Sequence, residues 1–327
     1  MERLAHSVYR VEVPLPIPSL RSVNVYVLAG GEPWLVDAGI YTAEAARQLL
    51  RGLREAGIRP CDLAGVVVTH FHVDHMTLAP LLAELGSPSF YIGRSDLALV
   101  EDGVEEFIDR VLEIYTWSGM PREEAERIRQ YHPAVRMLEA YRHAAELDWR
   151  PLGEGDLLRA GGLELRVAEA PGHTPGHILL QGDGLLFTGD TVLPGITPHV
   201  VLHSPEGDPL GSYLATLERV EAMAPALGLP GHRGVLGDPA ARAREIRMHH
   251  EQRLRELYEL LRRRGPLTGY DAARLMRWRT RYSSWDEYPP AERFFAVGEA
   301  LAHLRRLEAQ GRAERVERGG VLAWRAL

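Results

Sequence analysis

The sequence of 327 residues predicts a mixed α/β (α+β) fold, because short apolar strands and amphipathic helices follow one another along the chain. Residues 8–38 hold two or three β-patterned runs, and the apolar run Ala64–Val68 predicts a buried strand. Between them, Thr42–Gly57 has the apolar spacing of a helix. The buried face predicted for this helix consists of Ala45, Leu49, Leu50 and Leu53.

The middle of the chain first continues this pattern and then departs from it. A helix is predicted to begin within Leu78–Leu85, and a short strand to occupy Ser89–Ile92. The next segment, residues 95–150, is too long for a plain connection inside a compact domain. We expect it to be a helical insertion whose aromatic side chains either pack it onto the main body or shape a cap over a substrate pocket. Its predicted helices are Leu97–Tyr115, Arg122–Tyr131 and Ala134–Ala145.

The rest of the chain divides into two parts. Up to residue 245 the patterns predict a hairpin at Gly153–Ala170, a helix at Pro209–Ala222 and a strand at Gly228–Pro230. From Ile246 to Leu327 there are 17 arginines against 11 acidic residues, although the whole chain has a net charge of −7. We therefore predict two domains, residues 1–245 and 246–327. Helices are predicted at Pro239–Arg264, Tyr270–Arg277 and Pro290–Gln310, followed by a hairpin at Arg312–Ala326.

Composition is that of an ordinary globular protein, with 45% hydrophobic and 25% charged residues. The first ten residues lack an apolar signal core, and no run approaches the roughly 18 apolar residues of a membrane span. Cys61 is the only cysteine, which excludes an intrachain disulfide. We expect a cytoplasmic protein without a membrane partner.

Potential metal ligands are concentrated in Thr69–Met76, which reads T-H-F-H-V-D-H-M. His70 and His72 lie just after the predicted strand, two residues apart, and can point the same way. Asp74 and His75 follow in the next turn and can face a second ion. Imidazole and carboxylate groups are the ligands that a borderline ion such as Zn²⁺ prefers. The stretch therefore predicts a metal site.

Four outlying motifs each deliver one further histidine or aspartate. Trp34–Gly39, W-L-V-D-A-G, places Asp37 after an apolar strand. The remaining three are A-P-G-H-T-P-G-H with His173, L-L-F-T-G-D-T-V-L with Asp190, and L-P-G-H-R-G with His232. Short strands or Gly/Pro turns position every one of these side chains.

This set of motifs, in this order, resembles the metallo-β-lactamase-fold superfamily over roughly residues 8–240. Within it, the resemblance is greatest to glyoxalase-II-like hydrolases, although no G-R-x-D segment follows the fourth motif. The resemblance implies an αββα sandwich with two divalent metal ions, Zn²⁺ or alternatively Fe or Mn. It assigns His70, His72 and His173 to one metal and Asp74, His75 and His232 to the other. Asp190 would bridge the two, and Asp37 would orient the ligand loop.

The resemblance also implies a hydrolase that uses a metal-bridging hydroxide on a small ester- or thioester-like substrate. Asp74 is then a candidate catalytic residue that takes up a proton. Asp37 is a second candidate catalytic residue, which would act by orienting the loop that carries Asp74. Residues 194–203 follow the bridging position, and His199 within them is a candidate substrate contact. The simpler alternative is that this segment is a structural loop with an incidental histidine. Asp190, where dedicated β-lactamases of this fold often carry cysteine, argues against antibiotic hydrolysis. An iron-dependent dioxygenase of the same fold stays open.

The C-terminal pattern of three helices and a hairpin resembles a winged helix. Its arginine excess makes nucleic acid an alternative partner, so an endoribonuclease or phosphodiesterase is a second functional hypothesis. Such a domain can equally form a homodimer contact or support the site. A third hypothesis is a regulator that senses a small ligand without turnover.

Overall fold

The computed structural model describes residues 1–5, 7–17, 20–280 and 282–327. The strands are β1 Glu2–Arg3, β2 Val8–Pro14, β3 Ser22–Leu28, β4 Trp34–Val36, β5 Gly65–Val67, β6 Ser89–Gly93, β7 Trp149–Leu152, β8 Leu157–Ala160, β9 Leu163–Glu169, β10 Ile178–Gly182, β11 Leu185–Gly189, β12 Leu227–Pro230, β13 Leu267–Thr268, β14 Ala313–Arg318 and β15 Val321–Ala326. The helices are α1 Ala43–Glu55, α2 Val73–Met76, α3 Ala79–Leu85, α4 Arg94–Asp102, α5 Val104–Trp117, α6 Arg122–Tyr131, α7 Leu138–Ala145, α8 Pro209–Met223, α9 Pro239–Arg264, α10 Gly269–Leu275 and α11 Pro290–Ala309.

One compact unit comprises residues 1–102, 137–198 and 216–243. It contains a seven-stranded sheet in the order β1-β2-β3-β4-β5-β6-β7 and a five-stranded sheet in the order β12-β11-β10-β9-β8. Apolar side chains of the two sheets form one core, in which Tyr26 meets Phe187 edge-on at 5.3 Å between ring centroids. The expected mixed α/β sandwich is confirmed.

Helix α1 shows how tightly the outer layer packs on this sandwich. The Thr42 hydroxyl caps the helix by accepting a hydrogen bond from the Ala45 N–H at 3.2 Å. Ala45, Leu49 and Leu53 are buried as predicted, whereas Leu50 is only partly buried. Gly52 completes the buried face, because a Cβ there would come within 2.5 Å of the Val11 side chain.

The insertion differs in detail from the sequence prediction. The single helix predicted over Leu97–Tyr115 is two helices, α4 and α5, with Gly103 between them at a φ of 102°. A residue with positive φ cannot continue a right-handed helix, and glycine adopts that conformation without a steric penalty. The helix predicted to start at Ala134 begins later, as α7, after a short 3₁₀ turn at Val135–Met137.

A second compact unit comprises residues 103–136, 199–215 and 244–327. In it, α5 and α6 from the insertion pack together with α10, α11 and a three-stranded sheet in the order β13-β15-β14. The Tyr115 ring packs on Phe294 at 5.2 Å. Gly298 allows this approach, because a Cβ there would lie 2.1 Å from the Tyr115 hydroxyl and 2.7 Å from the Val201 Cβ. The domain boundary at residue 245 and the extent of the cap stay predictions.

Within the described ranges, none of the helices combines the length and apolar character needed to cross a membrane.

Candidate metal centre

The strand order brings the predicted ligands to one edge of the sandwich unit. Strands β4 and β5 are parallel neighbours, and Asp37 and Thr69 follow shortly after their carboxyl ends. Strands β11 and β12 are also parallel neighbours, and they are followed by Asp190 and His232. Because carboxyl ends of adjacent parallel strands meet at the same edge, four separate motifs converge there.

Asp37 connects the loop after β5 to the short helix α2. Its carboxylate accepts hydrogen bonds from the Thr69 backbone N–H at 2.7 Å and from His75 Nδ1 at 2.8 Å. The backbone of Asp37 has a φ of 63°, a conformation that few residues other than glycine, asparagine and aspartate tolerate. Asp37 therefore fixes the orientation of His75, as expected for the residue that orients the ligand loop.

His70, His72 and His173 form the first group of potential ligands. His70 Nε2 lies 3.0 Å from His72 Nδ1, which in turn lies 3.1 Å from His173 Nε2. The Thr69 hydroxyl donates to Asp37 and can therefore accept from His70 Nδ1 at 3.1 Å. This arrangement leaves the lone pair of His70 on Nε2, facing the other two rings. Three imidazole nitrogens thus converge at distances suited to one shared cation.

Asp74, His75 and His232 form the second group. His232 Nε2 lies 3.3 Å from Asp74 Oδ2. The other ring nitrogen of His232 donates to the Ser22 carbonyl at 2.7 Å, so Nε2 is the atom left to bind a metal ion in place of a proton. His75 does the same through its hydrogen bond to Asp37.

Asp190 lies between the two groups. Its Oδ2 atom is 3.7 Å from His173 Nε2 and 3.4 Å from His232 Nε2, and its Oδ1 atom is 3.6 Å from His75 Nε2. One carboxylate therefore reaches ligands of both groups. This is the position that the resemblance assigned to the bridging residue.

The electrostatics of the centre suit a cation. His75 Nε2, His232 Nε2 and Asp190 Oδ1 are buried and have no hydrogen-bond partner among the described residues. Such buried polar atoms are costly unless a ligand satisfies them. Burial lowers the pKa of His70 and His72 well below the usual range, so both rings are neutral, as metal-binding imidazoles must be. Burial alone would also lower the pKa of His75, but the carboxylates of Asp37, Asp190 and Asp74 raise it to about 9.

Asp96, on α4, is a site residue that the sequence did not reveal. Its carboxylate accepts from the Phe71 N–H at 3.0 Å, the Thr174 hydroxyl at 2.7 Å and the Gly176 N–H at 2.6 Å. Burial raises the pKa of Asp96 to about 7, although these three donors act in the opposite direction. It joins the loop of His70 and His72 to the loop of His173. No local motif marks it, because its partners lie far away along the chain.

His177 and Gly231 were also missed. His177 is fully buried, and its Nε2 accepts from the Asp190 N–H at 3.0 Å. Its presence in P-G-H-T-P-G-H was the available signal. At Gly231 a Cβ would lie 2.5 Å from Asp190 Oδ1 and 2.7 Å from His75 Cε1, so only glycine leaves room for both side chains.

The structure brings the seven predicted ligands together, whereas His199 lies in the second compact unit. There the His199 ring stacks on Phe295 at 4.2 Å, and His199 Nδ1 is 4.0 Å from Glu299 Oε2. Its role as a substrate contact stays a prediction.

Known proteins support this description. The chain matches the metallo-beta-lactamase superfamily over residues 18–232 and belongs to this family. It is 27% identical over 322 residues to the probable metallo-hydrolase YqjP of Bacillus subtilis, covering 93% of this chain and 92% of the relative. It is 35% identical over 98 residues to the atrochrysone carboxyl ACP thioesterase AgnL7 of Paecilomyces divaricatus, covering 29% of each. Among solved structures it is similar to a metallo-beta-lactamase family protein of Thermus thermophilus, with 28% identity, a TM-score of 0.80 and coverage of 98% and 99%.

The chain is accordingly a metallo-hydrolase of this superfamily. The fold and the His/Asp clusters together indicate that it binds divalent metal.

Proposed function

We propose that this protein hydrolyses a small thioester or ester at two divalent metal ions. His70, His72 and His173 would hold one ion, Asp74, His75 and His232 the other, and Asp190 would contact both. The observation that carries this proposal is the position of Asp190, whose two oxygens lie within 3.7 Å of ligand nitrogens in both groups. A mononuclear site would need only one of the two groups.

When bound, such ions lower the pKa of water to near neutrality and polarise the oxygen of the bond under attack. The chain's own residues prepare the centre for this chemistry. Burial alone would raise the pKa of Asp74, but His75 and His232 lower it to about 2, so the carboxylate is ionised, as a metal ligand must be. Asp37 holds His75 in a fixed orientation through Nδ1. The nucleophile can thus be water, and no serine or cysteine is required.

The thioester preference is supported by the relative named as an acyl-carrier-protein thioesterase, which matches 29% of this chain. It is also consistent with the glyoxalase-II-like arrangement of motifs. Zn²⁺ is the expected metal, with Fe and Mn as alternatives, since the ligands are imidazole and carboxylate. We place the enzyme in the cytoplasm.

The C-terminal elements run in the order α9, β13, α10, α11, β14, β15, which we propose to be a winged-helix-like arrangement. Nucleic-acid recognition by such a fold relies on an accessible helix. In α11, residues 296–305 are all buried, which leaves that stretch no face to offer a nucleic acid. We therefore favour a supporting or dimer-forming role for this part of the chain over the nuclease alternative.

The decisive experiment combines elemental analysis with turnover of four substrates: a thioester, a lactone, bis-p-nitrophenyl phosphate and a short RNA. We expect at least two metal ions per chain and turnover of the thioester or the lactone. Turnover of the phosphodiester or RNA alone would contradict the proposed substrate class. Two bound metals without turnover of any substrate would favour the ligand-sensing regulator.

A variant at the shared carboxylate tests the two-metal arrangement. Asp190→Ala should lose at least one metal equivalent and lower kcat by more than about 100-fold, because it removes a ligand of both groups. The matched control is Asp102→Ala, an exposed aspartate outside the centre. Retention of both metals and of activity in Asp190→Ala would refute the bridging role.

A further inference from the structure

The second compact unit contains a separate cluster of histidine and carboxylate side chains. His249 and His250 lie on α9, and Glu299 and His303 lie on α11. His250 and His303 are fully buried, and Glu299 is 8% exposed. The sandwich centre does not use any of these residues.

Hydrogen bonds fix the orientation of the two buried imidazoles. His303 Nδ1 lies 2.7 Å from the Glu299 backbone carbonyl, which can only accept, so His303 donates from Nδ1. Burial keeps that ring neutral, which leaves a lone pair on His303 Nε2. His250 Nδ1 lies 3.3 Å from this atom and therefore donates to it. The neutral His250 ring must then carry its own lone pair on Nε2.

No donor among the described residues forms a hydrogen bond to that lone pair. His250 Nε2 is buried without a hydrogen-bond partner. His249, His250 and Glu299 each offer one potential ligand atom, and these three atoms lie within 4.8 Å of one another. Ligand atoms around a tetrahedral Zn²⁺ are roughly 3.3 Å apart, given metal–nitrogen bonds of about 2.0 Å, so small side-chain adjustments would close the site.

We propose that His250, Glu299 and His249 form a second divalent-cation site, independent of the sandwich centre, for a borderline ion such as Zn²⁺. The His303 hydrogen bond supplies the feature that accompanies most metal-binding histidines: a partner on the opposite ring nitrogen that fixes the tautomer. His249 is partly exposed, so the ion can enter from solvent on that side.

The charges around the cluster permit this assignment. The Arg253 guanidinium lies beside Glu299, with Nε 4.0 Å from Oε1, and His199 Nδ1 lies 4.0 Å from Oε2. Its Nη1 atom donates to Glu256 at 2.9 Å and to the Arg277 carbonyl at 2.6 Å, and its plane lies over the Trp278 ring at 4.4 Å. Nη1 is therefore committed to Glu256 and Arg277, and Nε is too far from Glu299 to form a hydrogen bond with it, so Arg253 leaves the Glu299 oxygens open to an incoming ion.

Cobalt titration of the full chain tests the proposal, because tetrahedral Co²⁺ sites absorb visible light and the ion substitutes for Zn²⁺. The first variant is Glu299→Gln, which keeps the shape of the side chain and removes its charge. The second is His249→Ala, whose partly exposed position limits the effect of the substitution on folding. His143→Ala replaces an exposed histidine on α7 and serves as the matched control. All four proteins are checked by circular dichroism before titration.

We expect Glu299→Gln and His249→Ala to bind one Co²⁺ fewer per chain than the wild type and the His143→Ala control. In a His72→Ala/Asp190→Ala background, which weakens the sandwich centre, one equivalent should remain and should disappear when Glu299→Gln is added. Equal stoichiometry in all single variants would overturn the proposal and indicate that the cluster holds only water. The sandwich proposal would fail by a different result, namely a wild type that binds no Co²⁺ beyond the one equivalent removed by Glu299→Gln.

Discussion

The Thr174 hydroxyl donates a 2.7 Å hydrogen bond to the Asp96 carboxylate. Through its bonds to Phe71 and Gly176, the same carboxylate joins two loops that are about 100 residues apart in sequence. These loops carry His70, His72 and His173. The geometry of the first ligand group therefore depends on a residue of α4 that is itself no ligand.

Replacing Asp96 by alanine should weaken metal binding by about 10- to 100-fold, because the two loops lose their common acceptor. Zn²⁺ affinity measured by competition with a chromophoric chelator checks this. Asp102→Ala, an exposed aspartate on the same helix, is the control. If the two variants bind zinc equally well, Asp96 does not position the ligands.

Replacing Asp37 by asparagine should also reduce zinc affinity by about 10- to 100-fold. The amide retains an acceptor for the Thr69 N–H but removes the negative charge beside His75. Asp183→Asn is a close control, because Asp183 also has positive φ, at 50°, and is exposed. Asparagine tolerates that backbone conformation, so neither variant adds strain. An unchanged zinc affinity in Asp37→Asn would show that the position of the side chain, without its negative charge, is enough to orient His75.

Gly298→Ala should lower the free energy of unfolding by about 1–3 kcal/mol, since its methyl group would overlap the Tyr115 hydroxyl. The better helix propensity of alanine offsets part of that loss. Urea unfolding measures the difference. Gly237→Ala is the control, because an added Cβ there would meet nothing within 4 Å. Equal midpoints for both variants would contradict the close packing of α5 on α11.

Acid should destabilise the second unit through His132. Its ring packs on Phe294 at 4.6 Å, and Nδ1 accepts from the Ala134 N–H. Burial lowers the pKa of His132 to about 4. The unfolded chain, with a pKa of about 6.5, takes up a proton that the folded chain refuses, so stability present above pH 6.5 is lost as the pH falls toward 4.

The size of this effect is at most about 3.5 kcal/mol, from roughly 1.4 kcal/mol per pKa unit. His132→Gln should flatten the pH dependence of unfolding over that interval by a comparable amount. His143→Gln, at an exposed position, should leave it unchanged. If the free energy of unfolding changed with pH in the same way for wild type and His132→Gln, His132 would titrate normally in the folded protein.

The sequence predicts this fold well where a pattern is local. Apolar runs and turn residues located most strands, and the hairpin at Gly153–Ala170 is confirmed as β8 and β9. The break at Gly103 was missed, since glycine occurs within helices as well as between them and its φ depends on packing. The association of α5 and α6 with the C-terminal elements was missed as well, because no local pattern encodes which surfaces meet.

The candidate site divides in the same way. Histidines and aspartates in short motifs could be recognised from spacing and residue type, and the structure brings them together. Their binding of metal stays a prediction. Asp96 and His177 could not be assigned roles, because their hydrogen bonds join segments that only the fold brings into contact. The buried pair of His250 and His303 was hidden for the same reason, since 53 residues separate them.

Gly231 limits how this centre can change through mutation. Any larger side chain there would press on Asp190 and His75 together, so a single substitution would disturb both halves of the ligand set. A library randomised at this codon and selected for turnover should return glycine alone. Adaptation to new substrates is therefore expected to proceed through residues farther from this loop, while position 231 stays fixed.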